Sequence, residues 1–280
     1  MQIRHSNKSN AINRTLLGLA LLATFALTPY LHAADTDELD SYKIRFDAGW
    51  YFSNPSGNVH AAGENDIIDF QKDLAFNDYS TITGKIDWKF THKNHLYFTV
   101  TPFDTSHTTV LNRTIVFRGQ TFEVGAATNG SLHALLVAPG YQYDIIRRRR
   151  GHLGIGVQMD LFDTTAKLTA VAQSTGNGGT QQAAASASAS LLAPIPVAGP
   201  DFRYYLTNRI SLDGNVMGMY LFGYGNFVST VDSLGFALTK HIAARAGYQL
   251  ASHLVVKETN DRTGLRLTQK GPLVGIEVSF

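Results

Sequence analysis

From Tyr42 onward, hydrophobic and polar residues alternate with period two in segment after segment, and no helical period of any length intervenes. In residues 151–162, Leu153, Ile155, Val157, Met159 and Leu161 share one face, opposite His152, Gly154, Gly156, Gln158 and Asp160. Residues 43–52 place Ile44, Phe46, Ala48, Trp50 and Phe52 opposite Lys43, Arg45, Asp47 and Tyr51, and residues 81–90 repeat the pattern with Ile82, Ile86, Trp88 and Phe90 opposite Lys85, Asp87 and Lys89. Each segment predicts a strand with one apolar face.

Such alternation suits a soluble antiparallel sandwich as well as a membrane barrel. Segment length and connection length favour the barrel. Candidate strands run to about ten residues or more, enough to cross a bilayer at a tilt. Short turns at 91–94, 147–150, 207–209 and 239–241 alternate with long loops such as 53–78 and 172–195. Four turns joining two strands each, with a first and a last strand, predict ten strands. Twelve result if Asn129-Gly130 is a hairpin turn, and eight if a doubtful hairpin is a loop. In the alternative to twelve, residues 109–128 form an extension with its tip near 118–120. The Ala-, Ser-, Gly- and Gln-rich stretch 173–189 reads as the tip of a long outer loop. Residues 64–76 read as a lid over the mouth or a short strand. Asp66, Asp69 and Asp73 there lack the glycine and glutamate of a known calcium loop.

The last predicted strand, 271–280, ends on Phe280, with Val274, Ile276 and Val278 on the same face. This ending resembles the assembly signal of bacterial outer-membrane barrels, and together with the strand pattern it makes residues 42–280 resemble the small bacterial outer-membrane β-barrels, the broad OmpA/OmpW-like group. The resemblance implies an all-β, closed antiparallel transmembrane barrel in the outer membrane, with both termini periplasmic. It also implies outer-membrane lipid and the barrel-assembly machinery as partners.

Composition fits this picture. Only 16% of residues are charged, against about 25% for an average soluble domain. The absence of Cys excludes disulfides, thiolate nucleophiles and Cys-ligated zinc. At the N-terminus, Arg4, Lys8 and Arg14 precede the apolar run 16–27, which predicts a signal peptide over residues 1–33, cleaved between Ala33 and Ala34, and a periplasmic segment 34–41. Losing three of the 24 basic residues and none of the 22 acids leaves a formal charge of −1. Bulk charge therefore gives no case for nucleic-acid binding.

Candidate chemistry lies on the inward face. Lys43, Arg45, Lys85, Lys89, Arg203 and Arg245 are set there against Asp47, Asp87, Asp144, Asp160, Asp201, Asp213 and Glu277. Opposed charges in a narrow barrel interior demand partners, which predicts a salt-bridged lumen; the alternative is a narrow path for small or amphipathic solutes. Trp50, Trp88, Tyr141, Tyr143 and Tyr204 read as a membrane girdle. Residues 147–150, four arginines, read as a solvated turn or a site for lipid headgroups. At the outer rim Asp104, His107, Asp163, Asp232 and His253 are the acid–base candidates for a hydrolase, but no nucleophile motif accompanies them. His92 and His95 flank a turn, and the scattered histidines give no metal cluster. The expectation is a non-catalytic barrel without cofactor, structural or engaged in surface interactions.

Overall fold

The computed structural model describes residues 38–60, 67–176, 179–221, 225–257 and 264–280, all within the compact unit that begins at Asp35. The expected signal peptide, with Ala33 and Ala34, lies outside the described residues, as do Glu64 and Asp66. In chain order the first seven strands are β1 (Ile44–His60), β2 (Ile67–Asp69), β3 (Tyr79–Lys89), β4 (Asn94–Val110), β5 (Ile115–Phe117), β6 (Gln120–Phe122) and β7 (Ala127–Arg148). There follow β8 (Gly151–Gly176), β9 (Gly179–Tyr205), β10 (Ile210–Leu221), β11 (Gly225–Ala237), β12 (Ile242–Lys257) and β13 (Gly264–Ser279). Ten of these form a closed antiparallel ring, because β1 pairs with β3 on one side and with β13 on the other. Closure leaves no sheet edge and satisfies the backbone within the wall, which a spanning structure requires. Ten is the expected number.

The start of β1, the end of β13 and the short turns share one end of the ring, here the turn end. Phe280 exchanges backbone hydrogen bonds with Ile44 at 2.9 and 3.1 Å. Three of its four turns use the same device. The hydroxyls of Thr91, Thr207 and Thr239 each accept backbone N–H groups two and three residues on, at 3.0–3.4 Å. A belt of exposed apolar side chains surrounds the barrel between this end and the mouth, including Ile86, Leu96, Leu153, Ile155, Leu234 and Ile276. In a soluble sandwich such residues would form a core; here they face outward, as a lipid-facing surface demands. Among the girdle candidates, Trp50, Trp88, Tyr143 and Tyr204 stand exposed in the belt, and Tyr141 is half-buried there with its hydroxyl donating to Asn94 Oδ1.

The opposite end, the loop end, departs from expectation. Residues 172–195 are not a loop: β8 and β9 continue as one hairpin up to Gly176 and Gly179. In 185–190 Ala and Ser alternate, with Ala187 buried and Ser186, Ser188 and Ser190 exposed, so a low-complexity composition conceals a regular strand with a small-residue inner face. Asn129-Gly130 lies inside β7 rather than in a turn, which removes the twelve-strand alternative. Residues 111–126 instead form an insertion carrying the β5–β6 hairpin. Its tip is Arg118-Gly119, both with positive φ (53° and 74°), the geometry a tight two-residue hairpin turn requires.

Inside the loop end this insertion and residues 68–76 pack a hydrophobic core across the mouth. Ile68, Phe70, Leu74 and Phe76 meet Leu111, Ile115, Phe117 and Phe122, over Phe103, Leu132, Leu168 and Ala187 of the wall. Arg113 ties the two pieces together, with Nε and Nη2 donating to the Asp73 carboxylate at 3.0 and 2.7 Å. Small wall residues make room inside the barrel. A Cβ on Gly140 would stand 2.3 Å from the Tyr97 ring, and one on Gly156 would stand 2.5 Å from Met217 Cε. Tyr97 and Met217 thereby fill the middle of the lumen.

Candidate functional site in the lumen

Between the turns and that middle region the lumen is crossed by a layer of ionisable side chains from nine of the ten wall strands, joined by Ser233 of β11. Arg203 (β9) donates to both oxygens of Glu277 (β13), at 3.0 and 2.5 Å, and through Nε to Asp213 (β10). Asp47 (β1) and Glu277 lie directly opposite each other in register, a repulsive pair by themselves. Arg245 (β12) resolves the conflict, with Nη1 2.8 Å from Asp47 and 3.4 Å from Glu277, while Nη2 donates to Ser233 (β11) at 2.6 Å. Arg45 (β1) donates to Asp87 (β3) at 3.0 Å. Arg45, Asp87, Arg203, Asp213 and Glu277 are buried, with Asp47 and Arg245 partly so, and the bidentate and shared geometry is what makes this burial tolerable.

Two histidines extend the layer, each held between carboxylates. His95 (β4) has Nδ1 3.2 Å from Asp87 and Nε2 3.0 Å from Asp144 (β7). His152 (β8) has Nδ1 2.9 Å from Asp40 and Nε2 3.1 Å from Asp201 (β9). An imidazole flanked on both nitrogens by carboxylates can satisfy both only as a double donor. Asp201 also accepts from Asn215 at 3.1 Å.

Of the expected periplasmic segment 34–41 the structure describes residues 38–41, and Asp40, with Tyr42 after it, is buried in the barrel end. Asp40 is 2% exposed, with Arg45, Lys89, Arg147, His152 and Arg203 around its carboxylate. Burial alone would raise its pKa, but Lys89, His152 and Arg203 outweigh that and hold the carboxyl well below the usual carboxylate range. Tyr42 donates to Asp87 at 3.0 Å, and its ring lies between Lys89 Nζ, 3.8 Å from the centroid, and the Arg45 guanidinium at 4.4 Å. The backbone is tied too, Leu39 N–H donating to the Arg149 carbonyl at 3.0 Å.

Most of the inward charges are therefore brought together, but not all. Lys43 shares their parity but lies just before β1 and is exposed, outside the network. Lys85 stands higher, over the Tyr97 ring at 4.6 Å, and Asp160 accepts a hydrogen bond from Gln158 away from the cations. Sequence reasoning missed Asp40, Tyr42, His95, His152 and Arg147. Arg147 escaped strict alternation because the register shifts between Asp144 and Ile146. This bulge leaves Ile145 and Ile146 both exposed outward and turns Arg147 into the lumen, where it meets Asp144 at 2.8 Å and Glu38 at 2.9 Å. The four arginines thus divide, with Arg148, Arg149 and Arg150 exposed in or beside the turn.

Rim candidates are dispersed. Asp104 lies directly across from His133, outside the wall, with their side chains 3.0 Å apart and both largely exposed. Asp163 and Asp232 are exposed elsewhere, His107 is half-buried, and the side chain of His253 lies outside the described residues.

No family model and no curated relative matches the chain. Solved structures do. The outer-membrane protease OmpT from Escherichia coli is similar at 10% identity and a TM-score of 0.54, covering 90% of this chain and 99% of its own. The attachment invasion locus protein Ail of Yersinia pestis (9% identity, TM-score 0.34, 85% and 99% covered) and the toluene transporter TodX of Pseudomonas putida (9%, 0.37, 85% and 90%) are more remote. At such identities the likeness concerns architecture: by fold, the chain is a ten-stranded β-barrel of the kind bacteria place in the outer membrane.

Proposed function

We propose that this chain is a non-conducting, non-catalytic outer-membrane barrel that acts through its outer surface, with its lumen closed at both ends. The turn end faces the periplasm, Phe280 and its strand serve recognition by the assembly machinery, and the apolar belt contacts outer-membrane lipid. The observation that carries this reading is the charged layer built from nine of the ten wall strands, with Ser233 of the tenth bound to it. A solute crossing it would have to separate buried ion pairs, each costing several kcal/mol to break, on the order of 3–5 kcal/mol. The apolar core of the mouth adds a second closure. Planar-bilayer recording of the refolded protein tests this, with boiled protein as control: the expected record is silent, and steady conductance steps would replace this reading with a narrow channel.

A second reading, a rim hydrolase, has one observation in its favour, the Asp104–His133 pair, which leaves the second imidazole nitrogen available to a hydroxyl. The protease activity named for OmpT is compatible with it. Loss of a peptide- or ester-hydrolysing activity in His133→Ala would establish it; equal, background-level rates in both proteins would dismiss it.

A further inference from the structure

We propose that the turn-end lumen is a binding site for a small tetrahedral oxyanion of the phosphate class, in which the Asp40 carboxylate is seated as an intramolecular substitute. The inference rests on the closed-lumen reading and extends it, since the segment docked against the charged layer can leave while that layer stays in place. Its basis is a mismatch between the carboxylate and the cage around it. Five cationic side chains converge on Asp40, yet only His152 is at hydrogen-bonding distance, 2.9 Å. Lys89 and Arg203 stand at 3.6 Å and Arg45 and Arg147 at 3.8 Å from that carboxylate, too far for hydrogen bonds to it, although Lys89 and Arg147 donate to the Asp40 backbone carbonyl at 3.0 and 2.8 Å. The cage is wider than the group it holds.

The orphaned atoms point the same way. Arg45 is 6% exposed, yet its Nε and Nη1 have no hydrogen-bond acceptor, and neither has Asp40 Oδ1 a donor. Leaving buried donors unsatisfied costs free energy. A carboxylate offers two oxygens and one charge. A phosphate offers four oxygens and up to two charges, enough to accept from Arg45, Lys89, His152 and Arg203 together. With Asp40 and Glu38 withdrawn, Lys89 loses the one ion-pair partner shown for it, Arg147 loses two, and Arg45 and Arg203 lose one each. Asp40 also lies on a segment that belongs to no wall strand, so it can leave without opening the ring.

The test uses the full mature chain refolded in detergent, titrated with inorganic phosphate, with acetate as the carboxylate control, by calorimetry and 31P line broadening. Docked Asp40 competes with the anion, so apparent affinity falls by the fraction of molecules with the cage free. Asp40→Ser is expected to bind phosphate about tenfold or more tightly than the unaltered protein, and to prefer it to acetate. Arg45→Gln added to Asp40→Ser is expected to abolish the gain. If Asp40→Ser does not regain the heat-sensitive gel migration of a folded barrel, Asp40→Asn, which keeps the shape and removes the charge, is titrated with the same expectation. A folded Asp40 variant with no gain, or a gain that survives Arg45→Gln, overturns the site. A conducting unaltered barrel overturns the closed-lumen reading instead, so the two failures are told apart.

Discussion

At the turn end of the lumen Arg203, Arg245, Asp213, Asp47 and Glu277 meet across strands far apart in sequence; at the loop end Phe70, Phe76, Phe117 and Phe122 meet over a floor of alanine and leucine. The difference follows from what supplies the filling. Side chains of the wall itself close the turn end. They must be long and charged to span the lumen and find partners there, and each holds the ring closed. Two insertions close the loop end, so the wall needs only small inner residues to receive them, as Ala185, Ala187 and Ala189 show. The first closure is part of the barrel; the second is an addition to it.

The most severe break of this comparison is Arg203→Met. It leaves Asp213 and Glu277 buried without their principal cation, at a cost of about 3–5 kcal/mol. A large fall in the urea midpoint of the detergent-solubilised barrel is expected, followed by tryptophan fluorescence. An unchanged midpoint would mean that the charged layer does not hold the ring.

Phe122→Ala removes a side chain that is 1% exposed from the apolar core, which costs about 3–5 kcal/mol locally. The insertion contributes no strand to the ring, so this loss is expected as proteolytic nicking within 111–126, with little movement of the barrel midpoint. If the midpoint falls as far as in Arg203→Met, the two ends are one cooperative unit and the contrast drawn above fails.

The comparison also explains what the sequence reveals. Period two over ten long segments gives the wall, and parity gives the inward charges Arg45, Asp47, Asp87, Arg203, Asp213, Arg245 and Glu277, because a strand aims alternate side chains inward whatever its neighbours. Parity fails where backbone geometry changes it, as at the bulge that turns Arg147 inward. It is silent on Asp40 and Tyr42, which reach the lumen from a segment with no strand period. Composition misleads in 185–190, where alanine signals a floor under an insertion far away in sequence. Which carboxylate meets which cation is set by register and lumen width, and neither is local.

Acid distinguishes the ends more gently. Burial would raise the pKa of Asp73, but its hydrogen bonds from Arg113 and from the Asp69 backbone, with Arg113's charge, hold it below the ordinary carboxylate value. A carboxyl lowered by folding stabilises fully above its unfolded pKa, near 4, and loses that contribution as pH falls further. Docking of residues 67–76 onto the insertion is therefore expected to weaken below about pH 4, by on the order of 1 kcal/mol. Hydrogen exchange in 67–76 should rise there, and Asp73→Asn should remove that pH dependence. Exchange that responds equally to acid in both proteins would place the sensitive group elsewhere.

The smallest effect lies within the arginine run and sharpens the comparison at single-residue scale. Arg149 is exposed in the turn, and its tie to the tail is through its carbonyl, which Arg149→Ala retains. Its stability should stay within about 0.5 kcal/mol of the unaltered protein. Arg147, two residues earlier, has a side chain 3% exposed that pairs with Asp144 and Glu38, and Arg147→Ala takes the guanidinium from both, leaving buried Asp144 with His95 and Gln142 alone. That variant should lose several-fold more stability than Arg149→Ala in the same urea titration. Equal losses would show that the bulge does not deliver Arg147 to the lumen, and that the run acts as four solvated charges beside the membrane.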